Sequence, residues 1–135
     1  MNEPQISVII NTYNSEEFLA ETLTSLLSQT VTDWEAIVWD NGSVDRTKDI
    51  VMSFQDERIR FFQDRKKVSL YHSRVNALQE STGQLVAFLD HDDAWLPSKL
   101  ERQIRVFQDE RVACSSTDAV IISTTGSLTD EIDSG

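Results

Sequence analysis

What most constrains the fold of this chain is a repeated switch in hydrophobic spacing. Short apolar runs that end in polar clusters alternate with segments whose apolar residues recur every three or four positions. Ile6-Ser7-Val8-Ile9-Ile10 reads as a strand ending near Asn11, and Leu19, Leu23, Leu26 and Leu27 then share a helical face, with Asn14 as cap and Glu17 three residues on. The unit repeats as a strand over Ala36-Ile37-Val38-Trp39 and a helix with Thr47, Ile50, Val51 and Phe54 on its buried stripe, which Ser43 is placed to cap. Arg58 to Gln63 predicts a third strand, whose basic residues suit the sheet edge. A third helix places Tyr71, Val75 and Leu78 on its buried side and ends at Gly83 as a left-handed stop. Leu85-Val86-Ala87-Phe88-Leu89 is apolar throughout, as a central strand covered on both faces is expected to be. Pro97, with Ser98 and Glu101, opens a helix carrying Leu100, Ile104 and Phe107, and a last strand falls between Val112 and Ile122. The expectation is an α/β fold, a mostly parallel central sheet flanked by helices and ending after about the fifth strand. Residues 1–123 form one domain in this reading, and 124–135 form a polar tail that frays.

In open α/β sheets, ligands gather at the carboxyl ends of the strands. Three polar clusters stand there: Asn11-Thr12-Tyr13-Asn14, Asp40-Asn41-Gly42-Ser43 and Asp90-His91-Asp92-Asp93. Alternation along extended backbone puts Asp90 and Asp92 on one side, two hard oxygen donors that suit Mg2+ or Mn2+. Taken alone, the same acids read as a solvated turn, Tyr13 reads equally as a surface tyrosine, and Arg74 as a solvated helix charge. The formal charge of -11, from 23 acidic and 12 basic residues, argues against nucleic acid and favours a cation wherever an anionic ligand is held.

The residues Ser7-Val8-Ile9-Ile10-Asn11-Thr12-Tyr13-Asn14, Ser25-Leu26-Leu27-Ser28-Gln29-Thr30, Asp40-Asn41-Gly42-Ser43-Val44-Asp45, Arg74 and Phe88-Leu89-Asp90-His91-Asp92-Asp93 with Pro97 stand in the order and spacing of one family. Over about residues 5–123 the chain resembles the family 2 inverting glycosyltransferases, whose nucleotide-binding half has a Rossmann-like GT-A fold and an Asp-X-Asp metal motif. The resemblance implies that Asn11, Thr12 and Tyr13 line a base pocket, with Tyr13 packed along the base. It places Asp40 and Asn41 at the base, Arg74 near the phosphates, Asp90 near ribose and metal, Asp92 on the metal (Mn2+ or Mg2+), and Asp93 as orienter of the loop. Asn11 stands where the family has proline, Asn41 where it has a second aspartate, and Val75 where it has asparagine beside the arginine. An asparagine offers a donor and an acceptor, so Asn41 remains able to read uracil or thymine, and UDP or dTDP is the favoured nucleotide.

The implied reaction transfers a sugar from a nucleoside-diphosphate sugar to an acceptor hydroxyl with inversion, the full-length protein acting on a carbohydrate or lipid-linked acceptor. The catalytic base is expected beyond residue 135, because Asp118, Asp130, Glu131 and Asp133 sit in a strand or polar tail and none is assigned. The alternative is a catalytically silent nucleotide-binding regulatory module of the same fold. A nicotinamide enzyme is disfavoured, since none of the 4 glycines forms Gly-X-Gly-X-X-Gly. Cys114, the 1 cysteine, reads as a buried inert thiol. No apolar stretch is long enough to span a bilayer, and the expected location is cytoplasmic, at the inner face of the membrane in the full-length protein. Trp34 and Trp39 read as core, while Trp95 is left open between core and sugar stacking.

Overall fold

The computed structural model describes residues 3–122 and 128–132. The chain divides after Glu101 into two units. In the first, β1 (Ile6–Thr12), β2 (Trp34–Asp40), β3 (Ile59–Gln63) and β4 (Leu85–Phe88) form a parallel sheet of order β3-β2-β1-β4. The register sets Thr12 opposite Asp40 and Asp40 opposite Gln63, while Phe88 at the end of β4 stands opposite Ile9. Between the strands run α1 (Leu19–Leu27), α2 (Thr47–Ser53) and α3 (Leu70–Gln79), and α4 (Lys99–Val106) follows β4. The α/β fold with a parallel sheet flanked by helices is the one expected.

β1 and β2 are buried along nearly their whole length because helices cover both faces. On one face Ile9, Ile37 and Ala77 of α3 form a cluster that Trp39 and Phe62 complete, the two rings stacked 5.2 Å apart. Period-2 alternation turns Ile6, Val8 and Ile10 to the other face. That leaves them to the helices on that side, and Leu19, Leu23 and Leu26 of α1 are fully buried. Trp34 is core, as expected. β3 lies at the edge that its basic residues predict, with the Arg58 guanidinium 3.9 Å above the Trp34 ring.

Several local expectations are corrected. Asn14 does not cap α1: it sits at φ 48°, its N–H donates to Ser43 Oγ and its Oδ1 accepts from Val44 N, so it joins two loops instead. Ser43 is likewise drawn to Asp40, and Asp45 Oδ1 takes over at the start of α2, accepting from Thr47 N at 3.0 Å. α3 buries Ser73 and Ala77, whereas Tyr71 is 73% exposed, because small residues let the helix lie close on the sheet. Gly83 is not a left-handed stop; α3 has ended at Gln79, and a Cβ at Gly83 would stand 2.5 Å from Ser7 N. β4 is an edge strand, not a central one, and Val86 and Phe88 are about half exposed.

In the second unit, β5 (Val120–Ile122) pairs antiparallel with β6 (Leu128–Ile132). The strand anticipated in the region Val112 to Ile122 is β5, at the end of that region, and it is not the last, since β6 follows. Part of the tail expected to fray is a strand, since paired backbone satisfies its hydrogen bonds whatever the polarity of the sequence. The rest of the tail, residues 124–127 and 133–135, lies outside the described residues. Cys114 is exposed, which corrects the buried thiol. Among the described residues no helix is long and apolar enough to cross a membrane.

Candidate functional site

The sheet order sets a topological switch point between β1 and β4. From β1 the chain moves outward through β2 and β3, then α3 carries it back to β4 on the opposite side of β1, so the connections diverge between β1 and β4. At such a switch point the loops beyond the strand ends separate and leave room for a ligand. Asn11, Thr12 and Tyr13 end β1 on one side, and Asp90, Asp92 and Asp93 follow β4 on the other.

Tyr13 is 41% exposed, and the Lys67 ammonium lies 3.7 Å from its ring centroid. Asn11 Nδ2 donates to Ser73 Oγ at 2.9 Å, tying the end of β1 to α3 one residue before Arg74. Thr12 is buried and its hydroxyl donates to Asp40 Oδ1 at 3.0 Å. Asp40 is fully buried and its carboxylate is consumed by the protein: Thr12 Oγ1 and Ser43 Oγ donate to Oδ1, and Ser43 N and Gln63 Nε2 donate to Oδ2. It braces the strand ends.

Asn41 is 8% exposed, and its side-chain amide pairs with a backbone peptide. Nδ2 donates to Val68 O and Oδ1 accepts from Val68 N, each at 2.8 Å. The donor and acceptor expected to face a base are engaged by the loop that follows β3. A carboxylate there accepts but does not donate, so the amide is what permits this pairing.

Arg74 projects from α3, its Nη2 3.4 Å from Asp90 Oδ1 and its guanidinium 5.6 Å from the Phe88 ring. Its Nε is buried with no protein partner among the described residues. Both Arg74 and Asp90 are substantially exposed, so the pair is weak and each keeps capacity for a ligand. Asp92 and Asp93 are exposed in the turn closed by Asp93 N donating to Asp90 O at 3.1 Å. Partial burial raises the Asp93 carboxyl above its ordinary value, and the charges of Asp90 and Asp92 push it further the same way. His91 takes no part in a metal-type cluster; its Nδ1 is buried without a protein partner among the described residues. Trp95 lies under the Lys99 ammonium at 4.3 Å, and burial lowers that lysine's pKa.

The structure thus joins Arg74 to Asp90 and Asn11 to the residue before Arg74, leaves Tyr13, Asp92 and Asp93 exposed past the ends of β1 and β4, and turns Thr12, Asp40 and Asn41 toward the protein's own bonds. The sequence reading missed Ser73, Gln63 and Val68. Their contacts join elements far apart in the chain, and no local pattern marks them.

The chain's likeness to known proteins agrees with this geometry. The sequence profile described as glycosyl transferase family 2 matches residues 7–130. Among curated relatives, the Escherichia coli UDP-Glc:alpha-D-GlcNAc-diphosphoundecaprenol beta-1,3-glucosyltransferase WfgD is 34% identical over 84% of this chain and 45% of its own length. The putative teichuronic acid biosynthesis glycosyltransferase TuaG of Bacillus subtilis is 34% identical over 96% of this chain and 52% of its own length. Among solved structures, S. aureus TarS in complex with UDP-GlcNAc superposes with a TM-score of 0.70 at 31% identity, over 78% of this chain and 31% of that one. The chain spans about half the length of these curated relatives. With the profile matched over most of its length and the fold shared, the chain belongs to glycosyl transferase family 2.

Proposed function

We propose that this chain is the donor-binding half of a metal-dependent glycosyltransferase that passes a sugar from a nucleoside-diphosphate sugar to an acceptor hydroxyl with inversion. The observation that carries the reading is the meeting of Arg74 with Asp90 at the topological switch point between β1 and β4, two residues before Asp92 in the chain, with Tyr13 exposed just past the end of β1. A guanidinium suits a diphosphate, an exposed aromatic face suits a base, and a pair of carboxylates suits a divalent ion.

The donor set fits Mg2+ or Mn2+. Asp90 and Asp92 are exposed oxygen donors, and among the described residues no third His, Cys, Asp or Glu joins them in a group. These ions commonly take only one or two protein carboxylates and complete their shell with phosphate and water. Burial first, and then the charges of Asp90 and Asp92, raise the Asp93 carboxyl, and a cation in the loop relieves the second of these. In this reading Asp92 ligates the metal with Asp90, Asp93 orients the loop, and Asn11 holds Arg74's helix in register through Ser73. The ion, when bound, offsets negative charge on the departing nucleoside diphosphate.

Tyr13 is assigned to the base, and Lys67 must leave the ring face it covers for a base to stack there. Asn41 reads a base edge only if its pairing with Val68 opens; otherwise it shapes the pocket by holding that loop. UDP is favoured, as the TarS complex holds UDP-GlcNAc. A lipid-linked acceptor at the inner face of the membrane is the partner proposed for the whole protein, because WfgD is named for a diphosphoundecaprenol-linked one. The base that takes the acceptor proton is assigned to none of the residues described.

Calorimetric titration with UDP, dTDP and GDP, in Mn2+ and again in EDTA, tests the reading with an Asp92→Ala variant alongside. Metal-dependent binding of one nucleotide, lost in the variant, is the expected outcome. A folded chain that binds none of the three, or binds one equally well in EDTA, contradicts it.

A further inference from the structure

The segment Ser25-Leu26-Leu27-Ser28-Gln29-Thr30 has no part in the site as assigned, and Ser28 and Thr30 are exposed. Ser25, Gln29 and Thr30 nevertheless converge on one target, which Thr22 of α1 also reaches. Thr22 and Ser25 lie three apart on α1, and Gln29 stands just past its end, so the three share a face. That face meets the loop after β4, which has no helix or strand between Leu89 and Ser98 to hold its own shape.

The contacts follow the loop in order. Thr22 Oγ1 donates to His91 O at 2.8 Å, in preference to the Phe18 carbonyl of its own helix at 3.3 Å. Ser25 Oγ accepts from Trp95 N at 3.1 Å while donating back to Thr22 O. Gln29 Nε2 donates to Leu96 O at 2.9 Å, and its Oε1 accepts from Leu100 N at 3.1 Å. Thr30 N donates to Pro97 O at 2.9 Å. Thr22 and Gln29 are buried, where a hydrogen bond is least easily exchanged for water. Every one of these loop contacts is to a backbone group, which leaves the side chains of Asp90 and Asp92 to the switch point.

We propose that Thr22, Ser25 and Gln29 are positioning residues for the acid-bearing loop: they fix its backbone so that Asp90 and Asp92 are preorganised for a divalent cation and the diphosphate it accompanies. The cation part rests on the donor-site reading above. The anchoring itself does not. Such indirect support is what keeps a two-carboxylate site from spending binding energy on ordering its loop.

The test uses Thr22→Val, which keeps shape and removes the donor, and Ser25→Ala. Ser28→Ala is the control, since its hydroxyl bonds only within α1, to Thr24 O at 2.9 Å. Two quantities are read: hydrogen exchange of the amides of residues 90–96, and UDP affinity in Mn2+ against EDTA. The expected result is faster exchange confined to that loop, with the Mn2+-dependent gain in UDP affinity falling about tenfold. Affinity in EDTA should match that of Ser28→Ala. Unchanged exchange in both Thr22→Val and Ser25→Ala overturns the anchoring. Equal weakening with and without Mn2+ overturns the positioning role in favour of a general loss of structure. If the parent chain shows no Mn2+-dependent binding, the donor reading fails, and the exchange data still decide whether α1 holds the loop.

Discussion

At the scale of single residues, two carboxylates with similar sequence settings have opposite fates. Asp90 follows β4 in the open, whereas Asp40 ends β2 wholly buried, surrounded by donors from Thr12, Ser43 and Gln63. Asp40→Ala leaves those donors unsatisfied and is expected to lower stability by about 3 kcal/mol in urea denaturation, so any loss of nucleotide binding there comes with loss of fold. Glu35 is a second buried carboxylate, at the other end of the strands. Burial by itself pushes its pKa up, but hydrogen bonds from Ser7, the Thr82 backbone, Arg60 and the Thr82 hydroxyl outweigh this and hold it below the usual 4.5. Because the folded value lies below the unfolded one, the stabilisation is present above pH 4.5 and is lost as pH falls through the depressed value. Glu35→Gln is therefore expected to flatten the acid limb of a stability-against-pH curve relative to the parent chain. An equally steep limb in both proteins would place the acid sensitivity elsewhere.

At the scale of elements, close approach explains what apolar spacing alone did not predict. α3 lies on β1 and β2 through Ser73 and Ala77, and the chain then passes Gly83 directly against β1, where Gly83 N donates to Ser7 Oγ at 2.8 Å. A Cβ at Gly83 meets backbone atoms of Ile6 and Ser7 at 2.7 and 2.5 Å, and backbone cannot swing aside as a side chain can. Gly83→Ala is expected to cost about 2 kcal/mol or more by overpacking, measured as a shift in the denaturation midpoint at constant slope. The helix starts teach a related lesson. Asn14 and Ser43 carry the right chemistry for caps, yet Asn14 is taken by the loop opposite, through Ser43 and Val44, and Ser43 is held by that contact and by Asp40 of its own turn. Local sequence shows which groups are able to cap. The neighbouring loop decides whether they do.

At the scale of the whole molecule, every buried apolar residue of the core among those described lies at or before Leu100, within the first unit. Residues 1–109, which include all of α4, are accordingly expected to unfold cooperatively when expressed alone; a broad, non-cooperative melt would show that the later residues are needed. What the sequence determined by itself was the alternating strands and helices of the first unit, their parallel arrangement and the three polar clusters at strand ends, because each follows from a periodicity read over a few neighbouring residues. It also made the Asp90, Asp92 and Asp93 loop a candidate, since acid directly after an apolar strand is visible in one dimension, whereas Arg74 became one only through the family resemblance. Only the tertiary structure decided that β4 is an edge strand, that Asp40 and Asn41 are engaged by Gln63 and Val68, and that α1 anchors the acidic loop. Those outcomes depend on strand order and on contacts between residues far apart in the chain. The same carboxylate, amide or hydroxyl is a ligand group or a structural brace according to which of its neighbours in space reaches it first.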